Sequence, residues 1–213
     1  MKPSDILRES ILDEYSDTDP GIIDYLEDKG YELLGQGVDQ TAFLEPGTGL
    51  VLKIFGTQEH ARAPSGENTK PKFSEDHMMF FRWAKYCNNH KSNPFLPKFS
   101  GFESFYWNGQ VYLQIRQEHM VDLERDTARL CAEMAYYVTT EYSFDDMAQN
   151  LSHEVAWINL VNTLGPKGLK VLYKTIVKLD SIGNEMGFEL DLHEDNFMAR
   201  ADSTPVIVDP WVV

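Results

Sequence analysis

The stretch FELDLHEDNFMARADSTPVIVDPWVV, residues 188–213, places Asp191, Asn196 and Asp209 around two short apolar runs. The spacing predicts a strand over Asn196 to Ala199, a turn over Ala201 to Thr204 and a second strand over Val206 to Val208. A hairpin brings its outer ends together, so the loop before its first strand lies beside the residue after its second. Asn196 and Asp209 are therefore expected to share one hard cation, and Asp191 to sit close enough to orient or deprotonate a hydroxyl. Magnesium suits such a pair, because it takes few protein oxygens and completes its shell with water and phosphate. Taken alone, an Asp-rich loop is more often a solvated turn.

Features nearer the start supply context. Gly35-Gln36-Gly37 lies between two apolar runs, where glycines let backbone N–H groups approach phosphate oxygens. Lys53 sits between Leu52 and Ile54 in the next run, and a lysine so placed needs an anionic partner. Separately, the glycines read as a hairpin bend and Lys53 as an edge lysine reaching to solvent. Neither reading accounts for the helix beginning Ser-Glu-Asp at Ser74, or for the carboxylates of the later segment.

Residues 1–30 read as a helical appendage, with helices over Ser4 to Tyr15 and Asp19 to Asp28, the second capped by Asp19 and opened by Pro20. Residues 31–120 read as an antiparallel sheet with one main helix, the helix starting at Ser74 and turning Met78, Met79, Phe81, Trp83 and Tyr86 inward. Gly56 to Lys72 has no period and reads as a long exposed loop. The segments at 95–107 and 110–120 read as strands joined by an Asn108-Gly109 turn. Residues 121–213 change to helices over Asp122 to Tyr137, Phe144 to Leu164 and Gly168 to Met186, followed by the closing loop and hairpin. The fold class is α+β.

Composition bounds the function. The 213 residues suffice for a two-lobed domain with a sizeable core, and no apolar run nears the roughly 18 residues of a membrane span. The start lacks the apolar core of a secretory signal, so a cytoplasmic chain is expected. With 34 acidic against 19 basic residues, the net charge of -15 opposes nucleic-acid binding; it suits a solvated surface or, more sharply, a basic partner protein. Cys87 and Cys131 lack metal-ligand spacing and read as core or surface thiols.

In this order the features resemble the protein-kinase-like superfamily, from Tyr31 to the last residue. GQGVDQTAF is similar to the glycine-rich loop, with Gly35 and Gly37 in its first two positions, Gln36 between them, and Gln40 where a third glycine usually stands. Lys53 resembles the lysine that holds phosphates, and Glu75 its glutamate partner. IRQEHM resembles the run into the hinge, so Glu118 and Met120 are expected to offer backbone groups to adenine. DLHEDN is similar to the catalytic loop, which makes Asp191 the base and Asn196 a magnesium ligand; Asp209 takes the place of the principal metal-binding aspartate, thirteen residues on.

The resemblance implies a two-lobed fold, with an antiparallel-sheet N-lobe and a truncated helical C-lobe. It also implies ATP and Mg2+ as ligands, a protein serine or threonine as acceptor, and Lys53 and Asp191 as catalytic residues. Several positions depart from the pattern. Glu189-Leu190 replaces the usual His-Arg, Val51 replaces a small residue over adenine, and His193 stands where protein kinases carry lysine, as in aminoglycoside and choline kinases. The sequence stops four residues after Asp209, leaving no room for an activation segment. That pattern is similar to minimal kinases of bacterial effectors and bacteriophages, which act without loop phosphorylation and, if secreted or phage-borne, in a host cytoplasm. A nucleotide-binding module without transfer, a small-molecule kinase and AMP transfer are the alternatives the resemblance leaves open.

Overall fold

The computed structural model describes residues 18–36, 40–56 and 74–212. The expected helix over Ser4 to Tyr15, Gly37 and nearly all of the Gly56 to Lys72 loop lie outside them. The protein is mixed α+β, with a five-stranded antiparallel sheet and five α-helices among the described residues. It forms two compact units: Met1–Ala84 with Lys98–His119, and Lys85–Pro97 with Met120–Val213.

In the first unit, helix α1 (Pro20–Asp28) begins as its sequence dictates. The Asp19 carboxylate accepts the Gly21 N–H at 2.7 Å, and Pro20 occupies a first-turn position where its missing N–H costs nothing. Ile22 and Leu26, one turn apart, are buried against Phe43, Leu52, Ile54 and Tyr112. The helix expected as an appendage therefore shares the sheet's core, because an i, i+4 apolar pair fits the row of side chains on one face of the strands.

The sheet contains β1 (Glu32–Gln36), β2 (Thr41–Leu44), β3 (Leu50–Phe55), β4 (Phe99–Trp107) and β5 (Gln110–Glu118), in the order β1-β2-β3-β5-β4. The β4–β5 turn has positive φ at both Asn108 (47°) and Gly109 (85°), the tight hairpin form that Asn-Gly favours. Register places Ala42 and Ile115 on either side of Lys53, and Gln117 opposite Val51. Leu52 and Ile54 face α1, so alternation turns Val51, Lys53 and Phe55 to the opposite face, with Ile115 and Gln117.

Helix α2 (Glu75–Asn89) is capped by Ser74, whose Oγ accepts the His77 N–H at 3.0 Å. Its buried residues are His77, Met79, Phe80, Trp83, Ala84 and Cys87, whereas Met78 is 46% exposed and Tyr86 half-buried. The buried face is thus turned from the expected one: the helix carries large apolar residues on several sides, so the pattern alone does not fix the inner face.

In the second unit, α3 (Arg125–Thr139) is capped by Glu124, which accepts the Asp126 and Thr127 N–H groups at 3.1 and 3.0 Å. It starts later than expected because Val121–Asp122, here β6, pairs with a strand of the closing segment. The single helix expected over Phe144 to Leu164 is two: α4 (Phe144–Leu151) ends in a turn closed by Glu154 N–H to Leu151 C=O at 2.9 Å, and α5 (Val155–Met186) follows. Within α5, Gly165 (φ 66°, ψ 167°) interrupts the helix just before Pro166. Leu169, Leu172, Ile176 and Leu179 form the buried stripe, as expected, and Gly187 ends the helix at φ 77°. No helix of the described residues is long and apolar enough to cross a membrane.

Candidate functional site

The closing segment of the second unit contains β7 (Glu189–Leu190), β8 (Phe197–Ala199), β9 (Pro205–Ile207) and β10 (Trp211–Val212). β8 pairs with β9 and with β6, and β7 pairs with β10 through Leu190–Trp211 and Glu189–Val212. Beyond these pairings, the Asp191 N–H donates to the Pro210 carbonyl at 2.9 Å and the Val208 N–H to the Asn196 carbonyl at 3.0 Å. Asp209 is the one residue between two that are tied to opposite ends of the Asp191–Asn196 loop. The Asn196 Nδ2 donates to the Asp191 carbonyl at 2.6 Å, closing the loop on itself. Asp191, Asn196 and Asp209 are therefore brought to one corner.

Buried Leu192 and Phe197 anchor the loop from beneath, while Asp191 and Asn196 are half-buried and Asp209 is exposed. Since the Asn196 amide nitrogen is used by Asp191, its Oδ1 is the oxygen left to face a cation beside Asp209. Among the described residues no group of three or more His, Cys, Asp or Glu is arranged to hold a metal. Two oxygen donors at one corner fit magnesium in the form it takes with phosphates, where water and ligand oxygens fill the shell.

His193 lies in the same loop. Its Nε2 is 3.7 Å from Asp191 Oδ2 and its Nδ1 3.7 Å from Asp195 Oδ2. Asp195 also lines a cavity of about 380 Å³ with Glu194, Asp122, Arg125 and Met198; Arg125 and Glu194 approach to 3.7 Å there.

The first unit carries the other expected residues. Lys53 is half-buried, and its Nζ lies 5.0 Å from the centre of the Phe80 ring, a cation–π contact. Glu75 is exposed as the first residue of α2, and among the described residues it forms no ion pair with Lys53. Glu75 precedes the buried face of α2, and Phe80, on that face, meets the lysine.

Gly35 and Gln36 pair with Ala42 and Thr41 beyond a bulge in β1, and no atom of the described residues lies within 4 Å of where a Cβ on Gly35 would stand. Ligand atoms can approach the backbone there. The Glu118 N–H donates to the Lys98 carbonyl at 3.0 Å, and its carboxylate accepts the Lys98 N–H at 3.0 Å. The Glu118 N–H is thereby used within the first unit. Met120, in the second unit, is buried.

Two residues stand out only in the structure. Gln117 is 4% exposed on the Lys53 face of the sheet, and its Oε1 has no hydrogen-bond partner among the described residues. A polar residue continuing the inward series Val111, Leu113, Ile115 was the signal for it. The two-sided approach of His193 to carboxylates is the second, its signal being acidic residues two positions to either side. No protein-family model matches the chain, and no curated protein sequence matches it.

Proposed function

We propose that the protein is an ATP- and Mg-dependent phosphotransferase of protein-kinase-like, two-lobed fold, acting on the hydroxyl of a protein serine or threonine. The observation that carries this reading is the backbone lacing of Asp191, Asn196 and Asp209 into one corner of the second unit. Asn196 and Asp209 hold the metal, which when bound shields the charge of the phosphates. Asp191 accepts the proton of the acceptor hydroxyl as its oxygen attacks the γ-phosphorus and the bond to the β-phosphate oxygen breaks. Lys53 holds the α- and β-phosphates, and the open backbone beside Gly35 gives phosphate oxygens close approach. Rate gain then comes from positioning and charge stabilisation.

The test is transfer of labelled γ-phosphate from Mg-ATP to the protein itself and to a mixed Ser/Thr peptide pool. Asp191→Ala is expected to lower transfer by about 10²- to 10⁴-fold while leaving Mg-ATP binding within about threefold. A wild-type protein that labels neither acceptor overturns the reading. One observation favours a second reading, nucleotide binding without transfer: Glu189-Leu190, which stands where the family pattern carries His-Arg, forms a two-residue strand paired with Trp211–Val212. Under that reading Mg-ATP raises the unfolding temperature, because it binds only the folded chain, and no label moves.

A further inference from the structure

We propose that a line of lysines on α5 docks the protein on the surface of an anionic lipid membrane. The inference goes beyond phosphate transfer and does not depend on it.

The line lies in KGLKVLYKTIVK, residues 167–178, which holds four lysines and no acid although 34 of the 213 residues are acidic. This stretch belongs to the limb of α5 that follows the break at Gly165. At about 100° per residue, Lys167, Lys170, Lys174 and Lys178 fall within an arc of about 80° and span about 16 Å. All four are exposed, and Leu169, Leu172, Ile176 and Leu179 are buried on the opposite side. Val171, 42% exposed, flanks the line on one side and Val177, 39% exposed, on the other.

The stability of the helix gives no reason for this arrangement. Lys170–Lys174 and Lys174–Lys178 are like charges one turn apart, which weaken a helix. Lys167 stands in the first turn of the limb, where the helix dipole is positive. Among the described residues none of the four forms an ion pair. Lys170 lies over the Phe144 ring at 5.7 Å, and that ring packs on Tyr173 at 5.5 Å. The nearby carboxylate of α4, Asp146, sits on the Tyr173 side of the helix, where it accepts the Ser143 hydroxyl at 2.6 Å and helps burial raise the Tyr173 hydroxyl. The lysine line is thus not neutralised by the element packed beside it, and its charge complements an anion outside the chain.

The form of the line selects a membrane among anionic partners. A straight row of charges on a convex helix meets a flat surface along its whole length, and the flanking valines enter the layer between headgroups and acyl chains. A nucleic acid is gripped by arginine forks and stacked aromatic rings, and the line has neither between Lys167 and Lys178 except the half-buried Tyr173. An acidic protein partner needs a pocket for an anchoring side chain, whereas this face offers two separate valines. The net charge of -15 acts from farther away and is screened over about 8 Å at physiological salt, so the lysines at contact decide the attraction.

The test is flotation of the full chain with vesicles of phosphatidylcholine alone and with about one-third phosphatidylserine, at low and at high salt. No nucleotide is present, so the outcome is independent of transfer activity. Wild type is expected to float with the phosphatidylserine vesicles at low salt, and to stay behind at high salt or with phosphatidylcholine alone. Lys170→Gln/Lys174→Gln should lower the partition coefficient about 25-fold, since each lysine at an anionic surface contributes about fivefold. Lys85→Gln/Lys91→Gln, two exposed lysines outside the line, should leave it within about twofold. Circular dichroism melts should place the Lys170→Gln/Lys174→Gln variant at or above the wild-type unfolding temperature, because a like-charge pair has been removed.

Wild type that ignores phosphatidylserine vesicles at low salt overturns the proposal, as do equal losses in the two double variants. Tighter binding to duplex DNA or to polyglutamate than to the vesicles, lost in Lys170→Gln/Lys174→Gln, also overturns it and assigns the line to that polyanion.

Discussion

Gly183→Ala, in the last turn of α5 before the Asp191–Asn196 loop, should disturb that loop. Glycine inside a helix costs about 1 kcal/mol relative to alanine, so helix propensity alone predicts a gain. Packing predicts the reverse. A Cβ at 183 would lie 3.0 Å from both Cδ1 and Nε1 of Trp211 and 3.1 Å from the Phe188 carbonyl oxygen. The carbonyl has little room to yield, because Phe188 N–H to Gly183 C=O at 2.9 Å closes the end of the helix.

The indole must move instead, although it is 3% exposed and donates from Nε1 to the Leu179 carbonyl at 3.0 Å. Overpacking costs about 1–3 kcal/mol and the strained buried hydrogen bond about 0.5–1.5 kcal/mol. Set against the helix gain, the net is a loss of about 2 kcal/mol, or about 4–8 °C in unfolding temperature for a chain of this size.

Trp211 pairs with Leu190, directly before Asp191, so Mg-ATP should also stabilise Gly183→Ala less than wild type. Circular dichroism melts with and without Mg-ATP measure both effects, with Lys178→Ala as an exposed control on the same helix, expected within about 0.5 kcal/mol of wild type. If Gly183→Ala melts at or above the wild-type temperature, the close approach to Trp211 does not govern this region and the reasoning fails.

Two further outcomes concern the rest of the molecule. Burial alone would raise the Glu45 carboxyl, but hydrogen bonds from Arg116 (3.1 Å), Thr48 (2.9 Å) and Tyr31 (3.1 Å) outweigh it and hold the group below its ordinary 4.5. A depressed folded value means stability present above pH 4.5 and lost as pH falls through the folded value, so Glu45→Gln should cost about 1–2 kcal/mol at pH 7 and almost nothing near pH 2, measured by urea unfolding at the two pH values. Equal losses at both would show that the carboxylate's charge is immaterial. Cys87 and Cys131 are buried, and burial pushes the Cys131 thiol up to about 12 and the Cys87 thiol higher than usual. Neither should react with a thiol reagent at pH 8 until denaturant is added, and stoichiometric labelling of the native protein within minutes would contradict the packing.

The corner at Asp191, Asn196 and Asp209 was legible because its geometry is local: a hairpin of known sense joins residues less than twenty apart. The pairings that tighten it were not. β6, β7 and β10 have two residues each, too few to show a period, and they form because partners elsewhere offer ladder positions. The break between α4 and α5 has no glycine or proline to announce it, so the apolar pattern runs on through Ser152 to Glu154. The Ser74 cap and the Asn108-Gly109 turn were legible from chemistry confined to a few residues. By contrast, which side of α2 faces inward, and so whether Glu75 or Phe80 meets Lys53, depends on how a helix apolar on several sides settles against the sheet.

The backbone ties that hold Asp209 beside Asn196 and Asp191 lie just beyond the ends of very short ladders, two or three residue pairs long. In hydrogen-exchange terms the amides of Asp191 and Val208 should open together, as one cooperative unit distinct from the α5 core. The mutual placement of Asp191, Asn196 and Asp209 then lasts only as long as that unit stays closed. The dwell time of its closed form, rather than global unfolding, sets how long the corner is ready for ligand.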